Sequence, residues 1–151
     1  MSETDRIEKE IVVKATRARV WRALTDVAEF GRWFGVEMKD EFAPGRRALG
    51  RITYPGYEHL TMDVIVERME PESVFSFRWH PGATEAGHDY SNEERTLVVF
   101  ELSDAPGGTR VRVVESGFDR VPPARRAEAF RLNTEGWTGQ MQNIRKHVET
   151  A

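Results

Sequence analysis

The first regular pattern in the chain is an alternation of apolar and polar residues over 6–14, RIEKEIVVK, with Ile7, Ile11 and Val13 on one side. A period of two is typical of a strand with one buried face. A helical pattern follows in RARVWRALTD, where Thr16 can cap the helix by accepting a backbone N–H. The next segment, VAEFGRWF, predicts a short second helix.

The middle of the chain consists of strand patterns separated by short turn signals. The turns fall at Pro-Gly pairs and similar sequences, and links this short join antiparallel neighbours because a parallel crossover needs about a dozen residues or more. The sequence therefore predicts an antiparallel meander. Its strands are expected at residues 36–42, 47–54, 60–69, 73–80, 95–102 and 109–116.

The last pattern is the longest helix. Pro122 and Pro123 stand where a helix can begin, and apolar residues recur at helical spacing from Phe130 to Val148. The prediction is a helix from Ala124 to about Glu149. This order of elements indicates an α+β fold of one domain over 1–151, in which a curved antiparallel sheet grips the final helix.

Alternation along the strands also predicts which side chains face the helix. Asp63, Glu67, Ser76 and Arg78 are expected to face water. The inward set is expected to be Leu60, Met62, Val64, Val66, Phe75, Phe77, Trp79, Val98, Phe100, Leu102, Val111 and Val113.

Two residues further along the last strand, the same alternation places Glu115 on the inward side. One interpretation is that the strand ends there, and the carboxylate reaches solvent or pairs with an arginine. The other is a polar anchor in a cavity. An arginine would keep the carboxylate ionised, whereas apolar surroundings would favour the neutral acid.

The segment NTEGWTGQMQNI places polar and small residues beside an apolar helical stripe. Asn133 and Gln140 lie on one shoulder of the stripe that contains Trp137. These amides could satisfy backbone groups at the sheet margin or hydrogen-bond a ligand in an apolar pocket. Gly136 lies on their side, where a missing side chain would admit a strand, a loop or a ligand, whereas Gly139 points outward.

Composition narrows the classes of function. The 151 residues are 39% hydrophobic and 31% charged, and no apolar run approaches a membrane span, so we expect a soluble protein. The N-terminus lacks the apolar region of a secretory signal, which favours a cytoplasmic location. A net charge of -3 argues against nucleic acid as a partner, and zero cysteines exclude disulfides and thiolate zinc sites.

The sequence contains no G-x-S-x-G elbow, P-loop or dinucleotide fingerprint, and no cofactor and no metal are predicted. His80, His88 and Asp89 surround one long segment, but their spacing is not that of a helical zinc site. His59 and His147 are expected to be surface residues, the latter near a helix C-terminus.

Three stretches, ATRARVWRALTDVAEFGRWF, VVESGFD and NTEGWTGQMQNIRKHV, closely resemble the SRPBCC or START-like (Bet v 1-like) superfamily. The branch they resemble is named for the C-terminal domain of the activator of heat-shock protein 90 ATPase. The resemblance implies a helix-grip fold, often with a cavity between sheet and helix. It assigns to that cavity Trp33, Phe34, Phe75, Phe77, Trp79, Glu115, Asn133 and Trp137.

The leading functional hypothesis is a protein that binds a small apolar or aromatic molecule between sheet and helix. The predicted ligand contacts are those eight residues and Met62, Phe100, Val113, Gln140 and Met141. One alternative is an enzyme resembling polyketide cyclases or dehydratases, with Glu115 as proton carrier beside His80 or Tyr90. Another is a stress adaptor that contacts a chaperone. The segment 80–94 is long enough to gate the site.

Overall fold

The computed structural model describes residues 5–84 and 88–150. Its helices are α1 (Arg17–Thr25), α2 (Val27–Phe34) and α3 (Arg126–Glu149), with a single 3-10 turn at Phe118–Arg120. Its strands are β1 (Arg6–Val13), β2 (Val36–Met38), β3 (Arg47–Ile52), β4 (Thr61–Glu70), β5 (Val74–Trp79), β6 (Thr96–Ala105) and β7 (Gly108–Ser116).

The strands form one curved antiparallel sheet in the order β1-β7-β6-β5-β4-β3-β2, with α3 packed against it. The predicted α+β class and the helix-grip arrangement are therefore confirmed. Each predicted strand and helix is present, with shifted ends. The strand predicted at 36–42 stops at Met38. Beyond it, the Leu49 backbone N–H of β3 donates to the Asp40 side chain at 3.0 Å, and this bond replaces one between the two backbones.

The helix ends follow their capping residues. Thr16 accepts from the Arg19 backbone at 3.1 Å, as predicted, and Asp26 accepts from the first turn of α2. Helix α3 begins at Arg126 rather than at Ala124, because the chain first makes a turn in which the Arg125 N–H bonds to the Pro122 carbonyl at 3.0 Å.

The space between the sheet and α3 is filled mainly by aromatic rings. Trp137 of α3 packs edge-on against Phe100 and stacks on Trp79, with ring centroids 5.6 Å apart in both pairs. Phe75 and Phe77 are fully buried beside them. The predicted inward face is confirmed except for Leu60, which is only half-buried and precedes the start of β4.

The prediction that Ser76 faces water is wrong. Its side chain is 1% exposed although it lies on the outer face of the sheet. In the register it stands between Arg68 of β4 and Val99 of β6. Paired residues of neighbouring strands share a face, so these two larger side chains flank and cover the serine.

The glycine predictions also change. Gly136 meets no strand or loop, because a Cβ built on it has nothing within 4 Å, and the same is true of Gly139. The expectation of a strand or loop against Gly136 is therefore wrong within the described residues, and a ligand there stays a prediction. The constrained helix glycine is Gly31 of α2, where an added Cβ would lie 2.2 Å from the Val36 carbonyl oxygen.

A cluster around Glu29 joins all three helices. Its carboxylate, 14% exposed, accepts from Arg19 at 2.5 Å and from Arg22 at 2.7 Å, and lies 2.9 Å from His147 Nε2. The prediction of a surface position for His147 is wrong, because its side chain is only 18% exposed in this contact. Burial opposes ionisation of Glu29, but the hydrogen bonds from His147, Arg19 and Arg22 lower its pKa to about 2.

The low pKa of Glu29 predicts loss of stability in acid. A carboxyl group whose pKa is lower in the folded than in the unfolded protein stabilises the fold at pH values above its pKa in the unfolded chain. For Glu29 this contribution disappears as the pH falls from about 4.5 to about 2. We expect Glu29→Gln to lower the free energy of unfolding by about 1–2 kcal/mol at pH 7 and to flatten its dependence on pH in that window. Urea denaturation at several pH values measures both effects.

The matched control for Glu29 is Glu10→Gln. Glu10 is 51% exposed, and among the described residues its one ion pair is with the exposed Arg110. Exposed pairs contribute about 0–1 kcal/mol, so this variant should follow the wild-type pH profile. An unchanged acid transition in Glu29→Gln would contradict the proposed role of the cluster.

Candidate functional site

Glu115 is the polar centre of the interior. Its side chain is fully buried, and its two carboxylate oxygens accept hydrogen bonds from both the sheet and α3. Oε2 accepts from Trp79 Nε1 at 2.8 Å and from Thr96 Oγ1 at 2.6 Å. Oε1 accepts from Trp137 Nε1 at 2.7 Å, and Asn133 Nδ2 lies 2.9 and 3.1 Å from the two oxygens. Glu115 therefore links three strands to the final helix.

The local sequence explains how these donors meet. Trp79 and Thr96 stand opposite each other on β5 and β6, and Glu115 pairs with Val98, two residues beyond Thr96. The three side chains therefore share one face of the sheet. Asn133 and Trp137 are four residues apart, which places both on the face of α3 that meets this point.

The donors around Glu115 carry no formal charge. Burial raises the pKa of the carboxyl group, while the hydrogen bonds from Thr96, Trp79, Trp137 and Asn133 work in the opposite direction. The net direction is a raised pKa, and since an indole N–H can only donate, both carboxyl oxygens act as acceptors toward Trp79 and Trp137. The expectation that Glu115 reaches solvent or pairs with an arginine is wrong, and its inward position follows from the strand alternation.

A cleft of about 830 Å³ lies next to this centre, at the end of the sheet where β4 starts and β5 stops. Met62 and Trp79 contribute from the inner face, and Asp63 and Ile65 from the outer face. The cleft therefore runs around the end of the two strands. Its apolar part includes Phe34, whose ring lies 6.0 Å from that of Trp79.

The cleft contacts only part of the predicted site. Phe34, Met62, Trp79 and Asn133 line it. The other predicted contacts do not line it, because the aromatic core fills the space between sheet and helix. These are Trp33, Phe75, Phe77, Phe100, Val113, Glu115, Trp137, Gln140 and Met141.

Two of the polar or aromatic residues in that group have structural partners instead. Trp33 donates its indole N–H to the Ala23 carbonyl at 2.8 Å within the helical layer. Gln140 donates to the Phe34 carbonyl at 2.9 Å, so it satisfies a backbone group at the end of α2. This is the first of the two interpretations offered for the amides. Asn133 differs, since it bonds to Glu115 and also lines the cleft.

The polar part of the cleft comes from residues that the sequence analysis placed elsewhere or left out. Arg47 and Arg95 both contact Asp63, the former through two hydrogen bonds of 2.9 and 2.7 Å. His80 lines the cleft as well, and burial together with Arg95 lowers its pKa, so its ring is neutral at pH 7. Its Nδ1 is buried without a hydrogen-bond partner among the described residues.

The described parts of the long segment 80–94, residues 80–84 and 88–94, contribute one wall of the cleft. Arg125, at the start of α3, donates to the Pro81 carbonyl at 2.6 Å and to Glu93 at 2.7 Å, so it holds both ends of this segment. Its guanidinium also lies over the Tyr90 ring, 4.7 Å from the centroid. Residues 85–87 of the segment lie outside the described residues, and its role as a gate stays a prediction.

Neither a metal site nor a membrane span emerges from the described parts of the chain. Within 5–84 and 88–150, no group of three or more His, Asp or Glu side chains could hold a metal ion. No helix in these ranges is long and apolar enough to cross a bilayer.

The curved sheet, the long helix across it and the cleft at their shared end define a protein of the helix-grip class. The model of the family described as activator of Hsp90 ATPase homolog 1-like protein matches residues 14–149, and the chain belongs to this family. The resemblance inferred from sequence is therefore confirmed. No curated protein matches the chain.

Solved structures share the fold. Protein MLL2253 from Mesorhizobium loti is 23% identical with a TM-score of 0.75, and the match covers 95% of this chain and 96% of that one. The Aha1 dimer from Colwellia psychrerythraea is 16% identical with a TM-score of 0.72, covering 96% of both chains. DynU16, from the dynemicin biosynthetic locus, is 21% identical with a TM-score of 0.72, covering 97% of this chain and 48% of its own. At these identities the likeness shows the fold alone.

Proposed function

We propose that the chain binds a small apolar or aromatic molecule in the cleft beside Trp79. The observation that carries this proposal is an 830 Å³ cleft with Phe34, Leu60, Met62 and Trp79 in its wall. Ligand pockets for small molecules commonly measure about 300–1,000 Å³ and combine apolar walls with a few polar groups. The polar groups here are Asn133, His80 and the arginines around Asp63.

The position of Trp79 makes binding measurable. Its ring forms part of the cleft and stacks on Trp137 in the core, so a ligand against it should change the intrinsic fluorescence. A panel of neutral aromatic compounds, measured by fluorescence and by calorimetry, is expected to contain binders with a stoichiometry of one. Absence of any binder in the panel would contradict the proposal.

A variant that fills the cleft locates the binding. Leu60 is half-buried in the cleft wall and precedes β4, so Leu60→Trp adds volume there with little strain on the sheet. We expect this change to weaken binding of the compounds at least about tenfold, the equivalent of about 1.4 kcal/mol. Calorimetry with one binder measures it.

Val12→Trp is the matched control for this test. Val12 is 40% exposed on β1 and is not part of the cleft. The same added side chain at this position should leave the affinity unchanged. Equal affinity in wild type and Leu60→Trp would place the bound compound elsewhere.

The two alternatives from the sequence have less support. An enzyme using Glu115 as proton carrier would need the carboxylate to reach its substrate, but Glu115 does not line the cleft and both its oxygens are occupied. A chaperone partner is suggested by the family description and by the Aha1 neighbour. Adding the protein to a purified Hsp90 without a change in ATP hydrolysis would argue against that role.

A further inference from the structure

Asn133 lies on α3, and its polar side chain both donates to Glu115 and lines the cleft. Its Nδ2 lies within 3.1 Å of both carboxylate oxygens of Glu115. Each carboxyl oxygen already accepts from an indole N–H, and the NH₂ side of the planar amide faces the pair of oxygens. The amide oxygen is then turned away from Glu115.

The orientation of this amide is enforced by its neighbours. Trp79 and Trp137 donate to the two oxygens of Glu115 and cannot accept, which holds the carboxylate in place as an acceptor. A flipped Asn133 would direct its oxygen at the carboxylate, where two acceptors would face each other. Among the described residues, the hydrogen bonds of the Asn133 side chain run from Nδ2 to Glu115, and none reaches Oδ1.

Glu115 also brings Asn133 next to the aromatic wall. Trp79 Nε1 and Asn133 Nδ2 both bond to Oε2, at 2.8 and 3.1 Å, so the indole and the amide lie side by side. Both residues line the cleft. An aromatic molecule placed against Trp79 and Phe34 therefore has its edge near an acceptor that no group of residues 5–84 and 88–150 uses.

We infer that Asn133 Oδ1 selects ligands that carry a hydroxyl or N–H donor on an aromatic ring, and that Glu115 acts as the positioning residue that fixes this acceptor. The inference rests on the proposed function and assigns its substrate class. Glu115 then serves the site through Asn133 without contacting the ligand. A ligand of the same shape that lacks the donor leaves Oδ1 without a partner, which is the costly outcome in a desolvated site.

A matched pair of compounds tests the inference on the wild-type protein. 1-Naphthol and 1-methoxynaphthalene share the ring system, but only the first can donate a hydrogen bond. We expect 1-naphthol to bind about three- to tenfold more tightly in calorimetry, the effect of one neutral hydrogen bond. The methyl group of 1-methoxynaphthalene adds apolar surface, and its burial would strengthen binding of the ether. Tighter binding of 1-naphthol therefore cannot come from apolar burial.

Variants assign the preference to the amide. Asn133→Ala should remove the preference for 1-naphthol while 1-methoxynaphthalene still binds. Glu115→Gln should also reduce the ratio of affinities, because a glutamine at 115 permits both orientations of the Asn133 amide. Asn143→Ala is the control, since Asn143 is exposed on the same helix and bonds to Gln140 outside the cleft. It should keep the wild-type ratio.

The outcomes separate the two proposals. Equal affinities of the two compounds for the wild type overturn the inference and leave the proposed function standing. An unchanged ratio in a folded Asn133→Ala also overturns it. If Asn133→Ala does not fold, the inference is decided by two measurements: the affinities of the two compounds for the wild type, and their ratio in Glu115→Gln. Failure of both compounds to bind the wild type overturns the inference together with the proposed binding of aromatics of this size.

Discussion

Replacing Glu115 with alanine is expected to lower the free energy of unfolding by about 3–5 kcal/mol. The change leaves the indole N–H groups of Trp79 and Trp137, the Thr96 hydroxyl and the Asn133 amide without their common acceptor in a buried site. Each unpaired buried donor costs about 1–3 kcal/mol, and rearrangement recovers part of this sum. Chemical denaturation followed by circular dichroism measures the loss.

Two variants show whether the lost acceptor is the cause. Glu101→Ala removes a carboxylate that is 47% exposed and paired with Arg112 on the outer face, so its effect should stay below about 1 kcal/mol. Glu115→Gln retains one acceptor oxygen and should lie between wild type and Glu115→Ala. A loss below about 1 kcal/mol in Glu115→Ala would show that the donors find other partners.

Gly31→Ala is expected to destabilise the fold by about 3 kcal/mol, although alanine is the better helix former. Gly31 lies inside α2, and the new methyl group would lie 2.2 Å from the backbone oxygen of Val36. A backbone oxygen cannot move aside as the end of a long side chain can. The first residue of β2 would therefore have to shift, which disturbs its pairing with Ile52.

The control for Gly31 lies on the long helix α3. Gly139→Ala adds the same methyl group to α3, where nothing lies within 4 Å, and should stabilise the protein by about 0.5–1 kcal/mol. Thermal unfolding of both variants measures the contrast. The same sign of effect in the two proteins would show that the contact with Val36 relaxes without cost.

The inward position of Glu115 was predictable because a strand has a strict period of two, and the shared face of Asn133 and Trp137 because a helix repeats every 3.6 residues. The identity of the four donors to Glu115 was not predictable from the sequence. It depends on the register that sets Thr96 opposite Trp79 and on the placement of α3 across the sheet. Neither the register nor the placement of the helix is encoded in one local segment. The sequence patterns therefore could not exclude an arginine as the partner of Glu115.

The same distinction applies to the rest of the fold. Regular patterns predicted the strands and helices, whereas their ends depended on single contacts such as that of Asp40 with Leu49. The ligand site was predicted between the sheet and the final helix, whereas the cleft lies at the end of the sheet, because ring packing fills the space between them. His80 and Arg95 lie in or beside an irregular segment, and periodicity carries no information on where such residues point.

The place of β1 in the sheet has a consequence for folding during synthesis. Within the described residues β1 is an edge strand that pairs with β7 alone, and Ile11 stands opposite Val111, a hundred residues later. The hydrogen-bond ladder of β1 can form only after β7 has been synthesised. Pairing across such a separation slows folding, since the entropy of closing the loop is lost before any contact compensates it. The apolar face of β1, which contains Ile7 and Val13, therefore stays without the β7 ladder until β7 has been synthesised.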